Sequence, residues 1–299
     1  MHLHPTTADS FGTERFTMVK IIADSTCDLS PELISKYDVT IVPLHIILGE
    51  QDFEDGNGIT PEELFTWSDA HKQTPKTAAC TTEQVLNAMQ PILDAGDEVI
   101  CFSISEKMST PFNSMRLAAE ELNAQDRVTV IDSCNLSTGI GLLVVEAAIM
   151  AKAGHARQEI AAHIASLVDK VRASFVVDTL TYLHRGGRCS GVAALVGGTL
   201  KLHPLIAVED GKMGPGKKFR GKMSRVISDY AHELEEALLR ARPDRVFITH
   251  SGCSKDDIDA VRAYLVSLNH FQEILITRAG CVISSHCGPG TLGVLFIEN

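Results

Sequence analysis

The stretch Leu180-Thr181-Tyr182-Leu183-His184-Arg185-Gly186-Gly187-Arg188-Cys189-Ser190-Gly191 joins a strand-like run, Ser174 to Leu180, to an apolar helical run, Val192 to Leu202. Adjacent glycines allow positive φ and close approach of the backbone to another surface. Arg185 and Arg188 flank the pair with permanent charges in planar forks that suit carboxylates and phosphates. Two readings are open on these residues alone. One is a tight turn with two solvated arginines. The other is a rigid basic corner built to meet an anion. A second segment favours the latter: Ser285-His286-Cys287-Gly288-Pro289-Gly290-Thr291-Leu292-Gly293 sets one histidine before a Gly-Pro-Gly turn.

The pattern of the chain changes where this stretch begins. Upstream, strand-like runs rich in β-branched residues (Lys20-Ala23, Val39-Ile47, Glu98-Ser103, Arg127-Ile131) alternate with helical runs. The helices are expected at Pro31-Lys36, Pro61-Ala70, Thr82-Ala95, Phe112-Asn123, Thr138-Ala153 and Ala156-Val171. Such alternation predicts a mainly parallel sheet covered by helices. Downstream, Phe175-Asp178 reads as a strand and Ile206 to Lys218 as a hairpin with a Gly-Pro-Gly turn. Helices follow at Ser224-Ala241 and Asp256-Leu268, with strands at Arg245-Thr249, Glu273-Arg278 and Gly293-Ile297. That half has more antiparallel character. The expectation is an α/β protein of two domains. Residues 18–172 form a mainly parallel α/β domain, and residues 173–299 an α+β domain with a mixed or antiparallel sheet. Residues 1–17 are polar and read as a flexible extension.

Composition narrows the class. A chain of 299 residues is long enough for two domains, and 44% hydrophobic with 22% charged residues is ordinary for a globular protein. A net charge of −11 argues against nucleic acid as a partner, and against docking on anionic headgroups through bulk charge. No run reaches the roughly 18 apolar residues of a transmembrane segment. The eight cysteines show no C-x-x-C and no zinc-type spacing with histidine. They read as small buried apolar residues in a reducing, cytoplasmic setting.

Four segments, in order, resemble the DegV family of bacterial lipid-binding proteins. Its best understood members are fatty-acid-binding subunits of the bacterial fatty acid kinase. Ala23-Asp24-Ser25-Thr26-Cys27-Asp28-Leu29 is similar to the family's D-S-T-x-D-L start, and Leu180 to Ser190 to its L-x-Y-L-x-x-G-G-R-x-S element. Pro204-Leu205-Ile206 before Glu209-Asp210-Gly211 resembles its hairpin, and His286 to Leu292 its H-x-G-P-G-x-L ending. The resemblance runs from Met18 to the C-terminus. It implies a carrier that binds one long-chain fatty acid in a tunnel between the domains, with no other cofactor and no catalytic residue of its own. It implies presentation of the carboxylate to a separate ATP-dependent fatty acid kinase. Family contacts to the carboxylate fall on Thr77, Ser109 and His286, and Ser25 lies in a segment near the ligand's polar end. Arg188, with Arg185 nearby, falls on the surface facing the kinase rather than on the acyl tunnel. Two departures bear on the ligand: Ala78-Ala79-Cys80 stands where relatives have Ser-Gln-Pro, and Ser109-Thr110-Pro111-Phe112 where they have Ser-Gly-Thr-Tyr.

The residues themselves offer supporting and competing readings. Pro111 suits the first position of a helix with Thr110 as its cap, leaving the Ser109 hydroxyl free to face a ligand beside helix-end amides. The dull alternative is that Ser109 and Thr110 only cap. Thr81 and Gln84 form a T-x-x-Q capping box, and Ser137 reads as the cap of the apolar helix after it. The apolar runs Gly139 to Ala151 and Val192 to Leu202 suit a tunnel lining, though core packing accounts for most of their residues. Asp24-Ser25-Thr26 also reads as an ordinary turn. The competing class is an enzyme acting on a small carboxylate or phosphate in the cleft. Gly211-x-x-x-x-Gly216-Lys217 approaches a P-loop, but Lys218 stands where the magnesium-binding Ser or Thr belongs. There is no G-x-S-x-G, no H-E-x-x-H and no G-x-G-x-x-G after the first strand. A Ser25–His286–Asp24 triad fails because adjacent side chains on extended backbone point opposite ways.

Overall fold

A computed structural model of the chain describes residues 17–189, 191–192 and 202–299. Four strands, β1 (Val19–Asp24), β2 (Val39–Val42), β6 (Glu98–Ser103) and β7 (Val128–Asp132), form a parallel sheet in the order β2-β1-β6-β7. A small antiparallel sheet, β4-β3-β5, comprises β3 (His45–Leu48), β4 (Gln51–Glu54) and β5 (Lys76–Ala78). The third sheet, β10-β9-β8-β13-β11-β12, comprises β8 (Val171–Val176), β9 (Leu202–Glu209), β10 (Lys212–Arg220), β11 (Arg245–Ser251), β12 (Glu273–Arg278) and β13 (Thr291–Ile297). Only its β11–β12 pair is parallel. The helices of the first half are α1 (Pro31–Tyr37), α2 (Pro61–His71), α3 (Thr82–Asp94), α4 (Pro111–Glu121), α5 (Thr138–Lys152) and α6 (Arg157–Val168). Those of the second half are α7 (Thr181–Gly186), α8 (Met223–Glu233), α9 (Glu235–Leu239), α10 (Lys255–Ser267) and α11 (Cys281–Cys287). The architecture is α/β, with one parallel and one mixed sheet.

Local chemistry explains most boundaries. Proline opens α1, α2 and α4, where its missing N–H costs nothing. Thr60 with Glu63, and Thr81 with Gln84, close reciprocal capping boxes at α2 and α3. Thr138 to Val145 of α5 are buried without interruption. A helix apolar on every side has to be enclosed, and α5 lies between the two large sheets. One core joins Ile21 and Phe102 of the parallel sheet, Leu142 and Val145 of α5, and Phe175 and Leu295 of the mixed sheet. The outer face of the parallel sheet is covered by α3 and α4 through Val85, Met89 and Met115. Val226, Tyr230, Val261 and Leu265 of α8 and α10 cover the far side of the mixed sheet.

Several expectations are corrected. The run Val39-Ile47 is two strands in different sheets. Pro43 stands between them, lacking the N–H to continue a ladder. The β9–β10 hairpin turns at Asp210-Gly211, whose φ values of 49° and 73° suit the primed two-residue turns that follow strand twist. The Gly-Pro-Gly segment instead lies in β10 beside a register shift, tolerated because β10 is an edge strand. The near-P-loop is therefore hairpin and strand. The helix expected over Ser224-Ala241 divides at Leu234, and α6 ends at Val168 so that Val171 opens β8. Extended structure stops at Val176, and Thr181–Gly186 is helical. Thr110 and Ser137 make no side-chain cap; the Ser137 hydroxyl bonds Asp28 instead. Ser190 and most of the Val192 to Leu202 run lie outside the described residues, as does the expected N-terminal extension apart from Thr17.

Candidate ligand-binding cavity

The joined cores leave a cavity between them. Small-molecule pockets are mostly apolar, with a few placed polar groups. Leu44, Ile104, Met108, Phe175, Leu183 and Leu295 are among its apolar walls. The polar groups come from four separate parts of the chain. Thr77 lies at the centre of β5. Ser109 precedes the proline-opened helix α4. His286 occupies the last turn of α11, and Arg188 follows the glycine that ends α7. All four line the same cavity.

Two of them touch directly. Thr77 Oγ1 and His286 Nε2 are 2.9 Å apart, across 209 positions of sequence. No helix was expected around His286. It is helical, and the Gly-Pro-Gly turn comes after it. Its Nδ1 is buried without a hydrogen-bond partner. That nitrogen lies against Gly186, where an added Cβ would stand 2.5 Å from it. The Gly-Gly pair thus has two distinct purposes. Gly186 leaves room for the imidazole, and Gly187, at φ 67°, ends α7 with its N–H on the Leu183 carbonyl.

Electrostatics set the protonation state. Burial, then the neighbouring charge of Arg188, pushes the His286 imidazole down to about 4. It is neutral at pH 7 and can give or take one hydrogen bond at Nε2. Arg188 is exposed, yet it lines the cavity, and its Nη1 is held by the Gly186 carbonyl at 2.7 Å. Among the described lining residues it alone carries a permanent charge. The expected separation of this corner from the acyl pocket therefore does not hold for Arg188. Arg185 is exposed, reaches Thr74 Oγ1 at 3.3 Å, and is not part of the lining.

Ser25 is a further correction. It is absent from the described lining, and its one hydroxyl proton is committed within the protein. It donates to Asp55 Oδ2 at 2.9 Å and accepts from the Leu44 N–H at 3.1 Å. Asp24, its neighbour, is buried and accepts from Thr26 and from the Ile104 N–H. Sequence reasoning missed Asp55 altogether. An acid that follows Asp52 and Glu54 and precedes Gly56 gives no signal of burial. It also missed Thr249 and His250 of β11, which line the cavity; the strand expected at Arg245-Thr249 was given no ligand role. Among the described residues no group of His, Cys, Asp and Glu is arranged to hold a metal ion. None of their helices is long and apolar enough to cross a membrane.

The arrangement offers one cation and several neutral hydrogen-bonding groups at an apolar hollow, a combination suited to an anion with a long apolar tail. Comparison with known proteins meets it from another side. Residues 18–299 match the profile of a family described as "Uncharacterised protein, DegV family". A DegV domain-containing protein of Deinococcus radiodurans is 33% identical over 276 residues, 92% of this chain and 97% of that protein. Among solved structures, a fatty-acid-binding DegV family protein from Thermus thermophilus superposes with a TM-score of 0.86 at 28% identity. That match covers 95% of this chain and 100% of the other. A stearic-acid-binding protein from Eubacterium ventriosum gives 0.81 at 29% identity, covering 94% and 98%. With the match running over the parallel sheet, the mixed sheet and both ends of the cavity, the chain belongs to the DegV family.

Proposed function

We propose that this protein is a carrier that holds one long-chain fatty acid, or a similar amphiphilic carboxylate, between domains of residues 18–172 and 173–299. The observation that carries the reading is the cavity itself: apolar walls with Arg188 as the one permanently charged lining residue among the described residues. Each methylene moved from water into such a space contributes about 0.8 kcal/mol. A long chain therefore binds tightly with no chemistry needed. The carboxylate cannot be buried unpaired. Thr77, Ser109, His286 and Arg188 are the groups placed to receive it, and Ser25 has no part. Solved relatives above 25% identity that bind fatty acids support the assignment.

We further propose that the carboxylate is presented at the mouth to a separate ATP-dependent fatty acid kinase, with Arg185 facing that partner. Exposure of Arg185 beside the cavity-lining Arg188 supports this. Protein purified without added lipid, extracted with organic solvent and analysed by mass spectrometry, is expected to yield about one long-chain carboxylate per chain. Absence of lipid together with failure to bind added fatty acid sinks the reading. The two arginines separate the roles. Arg188→Ala is expected to weaken fatty-acid binding about tenfold, the loss of one charge-assisted contact. Arg185→Ala is expected to leave affinity unchanged and to slow acyl-phosphate formation with the kinase. Equal effects of both on affinity would refute this division.

A further inference from the structure

We propose that Asp55, with Asp28 beside it, is a positioning residue for His286: the two buried carboxylates hold the start of α11 and so fix where the imidazole at its other end meets a ligand. The inference rests on His286 being a head-group contact, as argued above. Asp55 Oδ1 accepts the Cys281 N–H at 2.7 Å and the Val282 N–H at 3.4 Å. Asp28 Oδ1 accepts the Gly280 N–H at 2.8 Å. These are the first backbone donors of the helix, which have no partner within it. The N-cap Gly280 has no side chain to serve them. Its bareness is also what admits the carboxylates: a Cβ there would stand 3.0 and 3.1 Å from the two Asp55 oxygens and 3.3 Å from Asp28 Oδ1.

The carboxylates are themselves anchored. Asp55 Oδ2 takes the Ser25 hydroxyl at 2.9 Å, and Asp28 Oδ2 takes the Ser137 hydroxyl at 2.5 Å. Neither pairs with a basic side chain among the described residues. Burial pushes both carboxyls up, and the amides of α11 and the serine hydroxyls oppose that push. The clamp thus ties α11 to the turn after β1 and to the head of α5.

A helix of seven residues is marginal alone and about 10 Å long, so its ends decide where it lies. One end is the carboxylate pair. The other carries His286, held by Thr77 and laid on Gly186. Val282, Ile283, His286 and Cys287 all line the cavity, so a shift of α11 moves the wall and the imidazole together. The D-S-T-x-D segment, unused by the ligand, is thereby joined to the histidine segment 250 positions later. Ser25 fixes Asp55, and Asp28 closes the clamp.

The test is a double-mutant cycle on the full chain, with palmitate affinity and the His286 imidazole titration by NMR as readouts. Asp55→Asn keeps the side-chain size and removes the charge on the helix end. It is expected to lower affinity about tenfold, the scale of one charge-assisted bond, and to shift the imidazole titration. In a His286→Ala background the same change is expected to cost almost nothing further. An equal loss in both backgrounds, or an unmoved imidazole titration, overturns the positioning role while leaving the binding reading intact. Unchanged affinity in His286→Ala alone overturns the head-group assignment, and this inference with it. Should Asp55→Asn not fold, Ser25→Ala removes the hydroxyl that fixes Asp55 Oδ2, and with it the acceptor of the Leu44 N–H. It is expected to show a smaller loss with the same dependence on His286, and a loss independent of His286 overturns the proposal.

Discussion

His286→Ala is expected to lower affinity for a long-chain fatty acid about ten- to a hundredfold while the chain stays folded. A hydrogen bond to a charged partner is worth roughly 1.5–3 kcal/mol, and each 1.4 kcal/mol is about tenfold. In the ligand-free protein the imidazole is neutral and shares its Nε2 with the Thr77 hydroxyl. A carboxylate arriving beside Arg188 can accept a hydrogen bond from the ring when Nε2 carries the hydrogen, and Thr77 can turn its own hydroxyl to the same anion. Removal of the ring deprives the anion of one donor and leaves Thr77 without the group that orients it. Stability should suffer less than affinity. The Nδ1 atom is buried without a partner, so the ring carries a desolvation cost of its own into the fold. Ser109→Ala is expected to act in the same direction and more weakly, because the amides at the start of α4 remain in place. Isothermal titration with palmitate, paired with thermal unfolding, separates the two effects. A large drop in melting temperature with unchanged affinity would show that His286 is a packing residue and not a ligand contact.

The fold was legible where local chemistry and the hydrophobic pattern agree. β1, β6 and β7 include β-branched residues in short apolar runs, and α2 and α3 announce themselves through T-x-x-E and T-x-x-Q caps. Misreadings arose where two local signals compete or where a distant group decides. Gly214-Pro215-Gly216 competes as a turn signal with Asp210-Gly211, and strand pairing places the turn at the latter. Helix α11 reads as a loop because Cys-Val-Ile-Ser-Ser-His-Cys has weak helix propensity and no side-chain cap. Its cap is Asp55, 226 positions earlier. No window of sequence contains both. The same distance hides the site. Thr77, Ser109 and His286 were singled out by family resemblance, not by spacing, and only the folded chain shows that they share a cavity. Ser25 was assigned to the ligand because its segment is near, but the hydroxyl faces a carboxylate of the protein itself. An outward Arg188 is what the family resemblance implies, and the side chain is indeed exposed while also lining the cavity. The Gly186 carbonyl turns its guanidinium along the cavity.

The opposed proton affinities of His286 and Asp24 give the second large effect, on stability against pH. Burial and Arg188 hold the His286 imidazole at about 4, against 6.5 in an unfolded chain. Below 6.5 the unfolded chain takes a proton that the folded chain refuses. The stability tied to the neutral ring is thus complete above pH 6.5 and is lost as pH falls to 4. The shift corresponds to about 3 kcal/mol. Asp24 runs the other way. Burial raises its carboxyl to about 6, against 3.8 unfolded, with the bonds from Thr26 and Ile104 opposing and the Asp55 charge adding to the rise. Here the folded chain protonates first. Stability from this group is complete below pH 3.8 and is lost as pH rises through 6, again by about 3 kcal/mol. The two act in opposite senses between pH 4 and 6, and the raised carboxyls of Asp28 and Asp55 add to the Asp24 side, so the unmodified protein's profile does not separate them. Single substitutions expose them. Relative to the unmodified protein, His286→Ala is expected to gain about 3 kcal/mol between pH 7 and pH 4, and Asp24→Asn to lose a similar amount over the same interval. Urea unfolding at half-unit steps of pH measures both differences. Parallel profiles for all three proteins would mean that neither group changes its proton affinity on folding.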